Sequence, residues 1–220
     1  MDSRNVNKEF PLVQPGEVIP SIFVKQKELA EKYLSIENMP PAPWMLDSAE
    51  HQIWIKDFFW RVTEELTEAI EYLEKGSDYK DPLFIEEMSD ALHFLVEPLV
   101  MLGVEPNDAV FNFAGDADSV SFMEAPIAIK FVTKSEREAF HIALMRVIFH
   151  LGVSANCLKN KKWKKTHTRT DTMKFYFHYR EAWRIFIYTL RMLCKYSHQD
   201  IYELYHKKAI VNKFRQDTNY

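Results

Sequence analysis

Phe58-Phe59-Trp60-Arg61-Val62-Thr63-Glu64-Glu65-Leu66-Thr67-Glu68-Ala69-Ile70 sets two carboxylates three positions apart inside an apolar pattern. Phe84-Ile85-Glu86-Glu87-Met88-Ser89-Asp90-Ala91-Leu92-His93-Phe94-Leu95 repeats the arrangement. On a helix, positions i and i+3 lie about 60° apart on one face. Glu65 with Glu68, and Glu87 with Asp90, can therefore each project as a pair. A lone pair of this kind is most often a solvated helix face. Two pairs on adjacent helices, each flanked by large apolar residues, point instead to carboxylates converging in a partly dry site. Four such groups repel one another strongly unless a cation neutralises them. Oxygen donors without His or Cys favour Mg²⁺ or Mn²⁺ over zinc.

Composition agrees with a helical chain. Among 220 residues there are 5 Gly, fewer than sheets and their hairpin turns ordinarily use. The expected class is all-α, a helical bundle in a single domain over residues 1–220, long enough to bury a sizeable core. A net charge of -4 argues against wholesale nucleic-acid affinity. Cys157 and Cys194 make neither a disulfide framework nor metal spacing, so a reducing cytosol is expected. The N-terminus lacks an apolar signal core, and no apolar run reaches the roughly 18 residues of a membrane span.

Outward from the acidic stretches, residues 1–46 form an arm and a short helix. Pro11, Pro15 and Pro20 predict an extended arm over 1–21, followed by a helix from Ser21 to Ile36 with Phe23, Leu29, Ala30 and Tyr33 inward. Pro40-Pro41-Ala42-Pro43 then breaks the chain. Residues 47–114 carry the acidic helices. The first runs from Ser48 to Lys75, capped by Asp47 with Glu50 as a capping box. The second runs from Pro82 to Leu102 behind the Asp81 cap, with Gly103 at its end and Pro98 inside it as a kink. Pro106 opens a shorter helix to Ala114, and 115–134 reads as a lid or a long connection. Residues 135–220 make a second helical unit. Its first helix begins at Ser135 and stops near Gly152. His150-Leu151-Gly152-Val153 echoes Met101-Leu102-Gly103-Val104, which suggests two related helical units.

Basic residues concentrate in this second half. Lys159-Asn160-Lys161-Lys162-Trp163-Lys164-Lys165 is either a solvated loop, a phosphate-facing flap or a nucleic-acid contact. The aromatic helix from Thr172 to Lys195 reads as core or subunit interface. The last helix, capped by Ser197, packs through Ile201, Leu204, Tyr205, Ile210 and Phe214. Its Lys208, Asn212 and Arg215 lie on one stripe, which suits a polyphosphate or else forms a plain exposed basic face.

The segment Lys208-xxx-Asn212-xx-Arg215-Gln216-Asp217-xx-Tyr220 resembles the closing motif of the dimeric, all-α dUTPase and dCTPase family of phages, trypanosomatids and some bacteria. The ExxE and ExxD pairs, with Ala91-Leu92-His93-Phe94-Leu95 following Asp90, are similar to the signature that this family shares with the MazG-type NTP pyrophosphatases. The likeness covers residues 50–104 and 198–220. It implies that Glu65, Glu68, Glu87 and Asp90 hold Mg²⁺, with Mn²⁺ as the alternative, and that Glu65 also orients the attacking water. Lys208, Asn212, Arg215 and Tyr220 would contact phosphates and sugar. The implied reaction is attack of water on the α-phosphorus of dUTP or dCTP, releasing pyrophosphate and the monophosphate. The implied assembly is a cytoplasmic homodimer, in the host cytoplasm if phage-encoded, without membrane or stable nucleic-acid binding. Relatives read uracil through a Gln and an Asn three residues apart on the first helix. Here Gln26 is followed by Leu29. Their tryptophan-containing basic stretch is missing between the acidic helices, and the 161–165 run, with Lys164 as its candidate contact, stands in for it. A MazG-like enzyme for purine or modified nucleotides, and a non-catalytic helical binding module, are the alternative readings.

Overall fold

Apolar residues recurring at helical spacing through both acidic stretches call for helices that bury one face. The computed structural model describes residues 10–106 and 135–218. These residues form α1 (Pro15–Ile36), α2 (Ala49–Glu74), α3 (Pro82–Met101), α4 (Glu136–Cys157), α5 (Thr172–Tyr188) and α6 (His198–Thr218), with α5 continued by a π-helical turn over Thr189–Leu193. No strand occurs among them, as the glycine-poor composition leads one to expect. The helix expected from Pro106, the 115–134 segment and Tyr220 lie outside the described residues.

α2 and α3 pack as an antiparallel pair, α4 and α5 form a second pair leaning on α2, and α1 and α6 pack together across α3. One core joins the two pairs. Phe59 of α2 meets Tyr179 of α5 edge to face with ring centroids 4.8 Å apart. The Tyr179 hydroxyl donates to the Leu95 carbonyl of α3 at 2.6 Å, so this buried phenol keeps its polar atom satisfied. α4 is long and apolar enough to cross a membrane by length and composition. Its Phe140, Leu144, Val147 and Leu151 are instead buried, and it packs on α2 and α5 as a core helix does.

Four boundaries and faces differ from expectation. α1 begins at Pro15, not Ser21, because proline suits the first helical position, where no backbone N–H is needed. The Glu17 carboxylate accepts from Gln14 N at 2.9 Å and closes that end. α2 is capped by Ser48 rather than Asp47, whose carboxylate accepts instead from Thr170 N at 2.6 Å. α6 buries Ile201, Tyr202, Tyr205, Lys208 and Ala209, while Ile210 and Phe214 are exposed. The helix is rotated because Lys208 faces α3.

The fourth difference concerns Gly152. Gly103 lies beyond α3 with φ +71°, a left-handed conformation that glycine adopts without strain. Gly152 lies within α4, which continues to Cys157. The two Leu-Gly-Val segments therefore do not play one structural role. A Cβ built on Gly152 meets nothing within 4 Å. Gly152→Ala is expected to stabilise the fold by about 1 kcal/mol, raising Tm by about 2–4 °C in a thermal melt.

Candidate active site

Leu66 and Ala69 on α2, and Met88 and Ala91 on α3, are buried between the packed helices and fix how each helix is rotated. The neighbouring carboxylates are thereby turned to the edge of the seam. Glu65, Glu87 and Asp90 each bring a carboxylate oxygen within 4.8 Å of the others, all three half-buried. Glu68 is exposed and falls outside this set, although its charge still acts on Glu65 and Glu87.

The electrostatics of the cluster follow from crowding. Burial, the hydrogen bond to Glu87 and the negative charges of Asp90, Glu87 and Glu68 push the Glu65 carboxyl up to about 8. Burial also raises Glu87, with the hydrogen bond from Glu65 opposing it. The folded chain therefore holds a proton on this pair to a higher pH than separate carboxyls would. Oxygen-only donors, three within coordinating reach and in excess of negative charge, fit a hard divalent cation.

α6 brings the nearest positive charge. Lys208 Nζ donates to Asp90 at 2.7 Å and to Glu86 at 3.0 Å while itself 8% exposed, so the ammonium is held between two carboxylates. Burial pulls Lys208 down, but these two ion pairs outweigh it and hold it above the usual lysine range. At Asp90 burial prevails over Lys208, and its carboxyl stays above the usual aspartate range. The side chain expected on an open phosphate-binding stripe thus ties α6 to α3.

One to two helical turns from the cluster lies a cavity of about 110 Å³, lined in part by residues of the same helices. Arg61 precedes Glu65 by four positions on α2. His93, Phe94 and Glu97 follow Asp90 by three, four and seven on α3, and Asn212 follows Lys208 by four on α6. Along α2 and α3 the lining residues therefore stand one to two turns from the carboxylates, roughly 5–10 Å. Gln26, Leu29, Tyr33, Glu37 and Phe58 complete the lining. The Arg61 guanidinium pairs with Glu37 at 2.6 Å and lies over the rings of Phe58 and Phe94, 5.0 and 5.6 Å from their centroids.

Of the residues that the sequence singles out, Glu65, Glu87, Asp90 and Lys208 meet where α2, α3 and α6 come together, and Gln26 and Asn212 line the neighbouring cavity. Arg215 is exposed near it, its charge acting on both Asp90 and Tyr33. Lys164 is not brought there. Its loop is fastened to the start of α2 by Asn160 N donating to Gln52 Oε1 at 2.7 Å and by Lys162 pairing with Glu50 at 3.1 Å. Thirteen residues of helix separate Gln52 from Glu65, roughly 20 Å. The sequence reading missed His93, Glu97 and the Arg61–Glu37 pair. Their signal was a histidine and a glutamate standing among apolar neighbours on the face that carries Asp90.

A family model described as dUTPase matches residues 72–220, more than half of the chain. The match takes in Glu87, Asp90 and the α6 stripe and begins after Glu65 and Glu68, so Glu65 stands on geometry alone. No curated protein and no solved structure matches the chain.

Proposed function

The chain belongs to the dUTPase family, whose members act on nucleotides and generally use a divalent metal, and from that premise we propose that it hydrolyses pyrimidine deoxynucleoside triphosphates, dUTP, dCTP or both. The products are the monophosphate and pyrophosphate, and Mg²⁺, with Mn²⁺ as substitute, is the metal. The observation that carries this reading is the Glu65, Glu87 and Asp90 cluster set one to two helical turns from a cavity of about 110 Å³.

Glu65, Glu87 and Asp90 would hold the cation, with Glu68 at the edge. When bound, the cation neutralises phosphate charge and makes water more acidic. Glu65 orients the attacking water and takes its proton as the water oxygen bonds to the α-phosphorus. The bond from that phosphorus to the bridging oxygen breaks, and pyrophosphate leaves with the electron pair. Arg215 and Lys208 bear positive charge beside the phosphates, and Asn212 faces the sugar. The exposed Trp60, Phe149 and Phe177 on α2, α4 and α5 support assembly as a homodimer.

A panel of the common deoxynucleoside triphosphates with Mg²⁺ tests the reading, scored for monophosphate and pyrophosphate beside Glu87→Ala. Release of dUMP or dCMP, lost in the variant, is the expected result. The same sample in light scattering should give twice the 26.1 kDa chain mass. Folded protein that hydrolyses no nucleotide with either metal would overturn the enzymatic assignment.

A further inference from the structure

Two residues that line the cavity beside the carboxylates carry buried polar atoms with no partner among the described residues. Glu97 lines it, is 2% exposed, and receives a hydrogen bond from Gln26 Nε2 on one carboxyl oxygen, Oε2. Its other oxygen, Oε1, has no partner among the described residues. His93 lines the same cavity and stacks flat on Tyr205, with centroids 4.0 Å apart. Its Nδ1 lies 3.0 Å from the Ser89 carbonyl, which can only accept, so Nδ1 carries the proton. Nε2 is then an acceptor, and it too is buried without a partner among the described residues. Two buried polar atoms without partners, on residues that line one small cavity, are costly unless a group that enters the cavity pairs with them.

Gln26 is the residue that the family resemblance implies as a base reader. Its carbonyl oxygen already accepts from the Tyr205 hydroxyl, and its amide donates to Glu97. Both ends of the amide are thus engaged inside the protein. Its role here is to hold Glu97.

We propose that Glu97, positioned by Gln26 and paired with His93, is the residue that recognises the hydrogen-bonding edge of the pyrimidine ring. This rests on the hydrolase reading of the adjoining carboxylates. Burial pushes the Glu97 carboxyl up to about 8; the Gln26 hydrogen bond opposes this, the Glu37 charge adds to it and Arg61 opposes it. The carboxyl is therefore largely neutral at pH 7, with Oε2 as acceptor from Gln26 and the proton on Oε1. Burial brings His93 down to about 4, so it stays uncharged. Four positions apart on one face of α3, the two residues would offer an O–H donor and a nitrogen acceptor to a ring in the cavity. Uracil meets this pair with a ring carbonyl and N3–H, and cytosine with N3 and its exocyclic amine. Each base satisfies both orphaned atoms at once.

The test compares wild type with Glu97→Met and Glu97→Gln on dUTP, dCTP and 2-deoxyribose 5-triphosphate, which carries no base. Glu97→Met should lower kcat/KM for the preferred pyrimidine substrate by about 10- to 100-fold, chiefly through KM, and leave the abasic substrate within about threefold. Glu97→Gln keeps an N–H donor at the same place and should recover most of the loss. Equal loss on pyrimidine and abasic substrates, or no loss on either, would overturn the assignment. Calorimetric binding of dUMP and dCMP reads the cavity independently of hydrolysis, and Glu97→Met should weaken the tighter of the two by the same factor. If wild type binds a monophosphate through Glu97 yet cleaves no triphosphate, the hydrolase reading fails and this assignment stands. Binding indifferent to Glu97 beside intact hydrolysis sinks this assignment alone.

Discussion

Glu65→Gln should lose about 10²- to 10⁴-fold in kcat, the range that removal of a positioned general base produces, while making the metal-free protein more stable at pH 8. The two effects share one cause. The Glu65 carboxyl is pushed up to about 8 in the folded chain from an ordinary value of 4.5. Between those two values the folded state holds a proton that the unfolded chain has released, so wild-type stability falls as pH rises through this window. Below pH 4.5 both states are protonated and the disadvantage vanishes. The amide of the variant has nothing to titrate. Melts in EDTA should therefore place the variant above wild type at pH 8 and level with it near pH 4.5. With Mg²⁺ the order should reverse, because wild type gains a ligand that the variant holds poorly. Full activity in Glu65→Gln, or a variant less stable than wild type in EDTA at pH 8, would remove Glu65 from the site.

The split between what the residues announce and what they conceal has a physical origin. Helical periodicity, the Asp81, Ser135 and Ser197 caps and the glycine past α3 are local, and each lies where the sequence puts it. Local spacing also makes the ExxE and ExxD pairs visible. Which member of a pair faces the neighbouring helix is not local. Burial of Leu66 and Ala69 against α3 turns Glu65 into the seam and leaves Glu68 outside. The cavity is hidden for the same reason. Glu97 and Gln26, joined by a hydrogen bond, are 71 positions apart, and in isolation Glu97 reads as a polar interruption of an apolar helix. Basic residues mislead in the opposite direction. The 159–165 run draws the eye by its charge density, yet Asn160 and Lys162 fasten its loop to the far end of α2.

Lys208 shows how far position changes the meaning of a residue, and its removal is the second large effect expected. Lys208→Met should cost about 10²-fold or more in kcat/KM, since it deletes the cation nearest the phosphates and releases α6, with Asn212 and Arg215, from α3. It should also lower metal-free stability at pH 8 by about 1–3 kcal/mol, less than a fully buried pair because Glu86 is half exposed. The sign with pH is set by both partners. The Lys208 ammonium is held above its ordinary 10.5, so its contribution is present throughout the neutral range and fades only as pH rises past that value. On the acid side the contribution ends when Asp90 takes up its proton, above the usual aspartate range because of burial. The gap between wild type and variant should thus be wide at pH 8 and narrow as pH falls toward 4. Pairing Lys208→Met with Asp90→Asn separates tether from chemistry. The neutral pair leaves no uncompensated buried charge, so stability at pH 8 should return most of the way to wild type. Activity should not return with it. A double variant that regains both would mean that Lys208 and Asp90 serve only to hold α6 in place, and that phosphate contact and metal binding lie elsewhere on these helices.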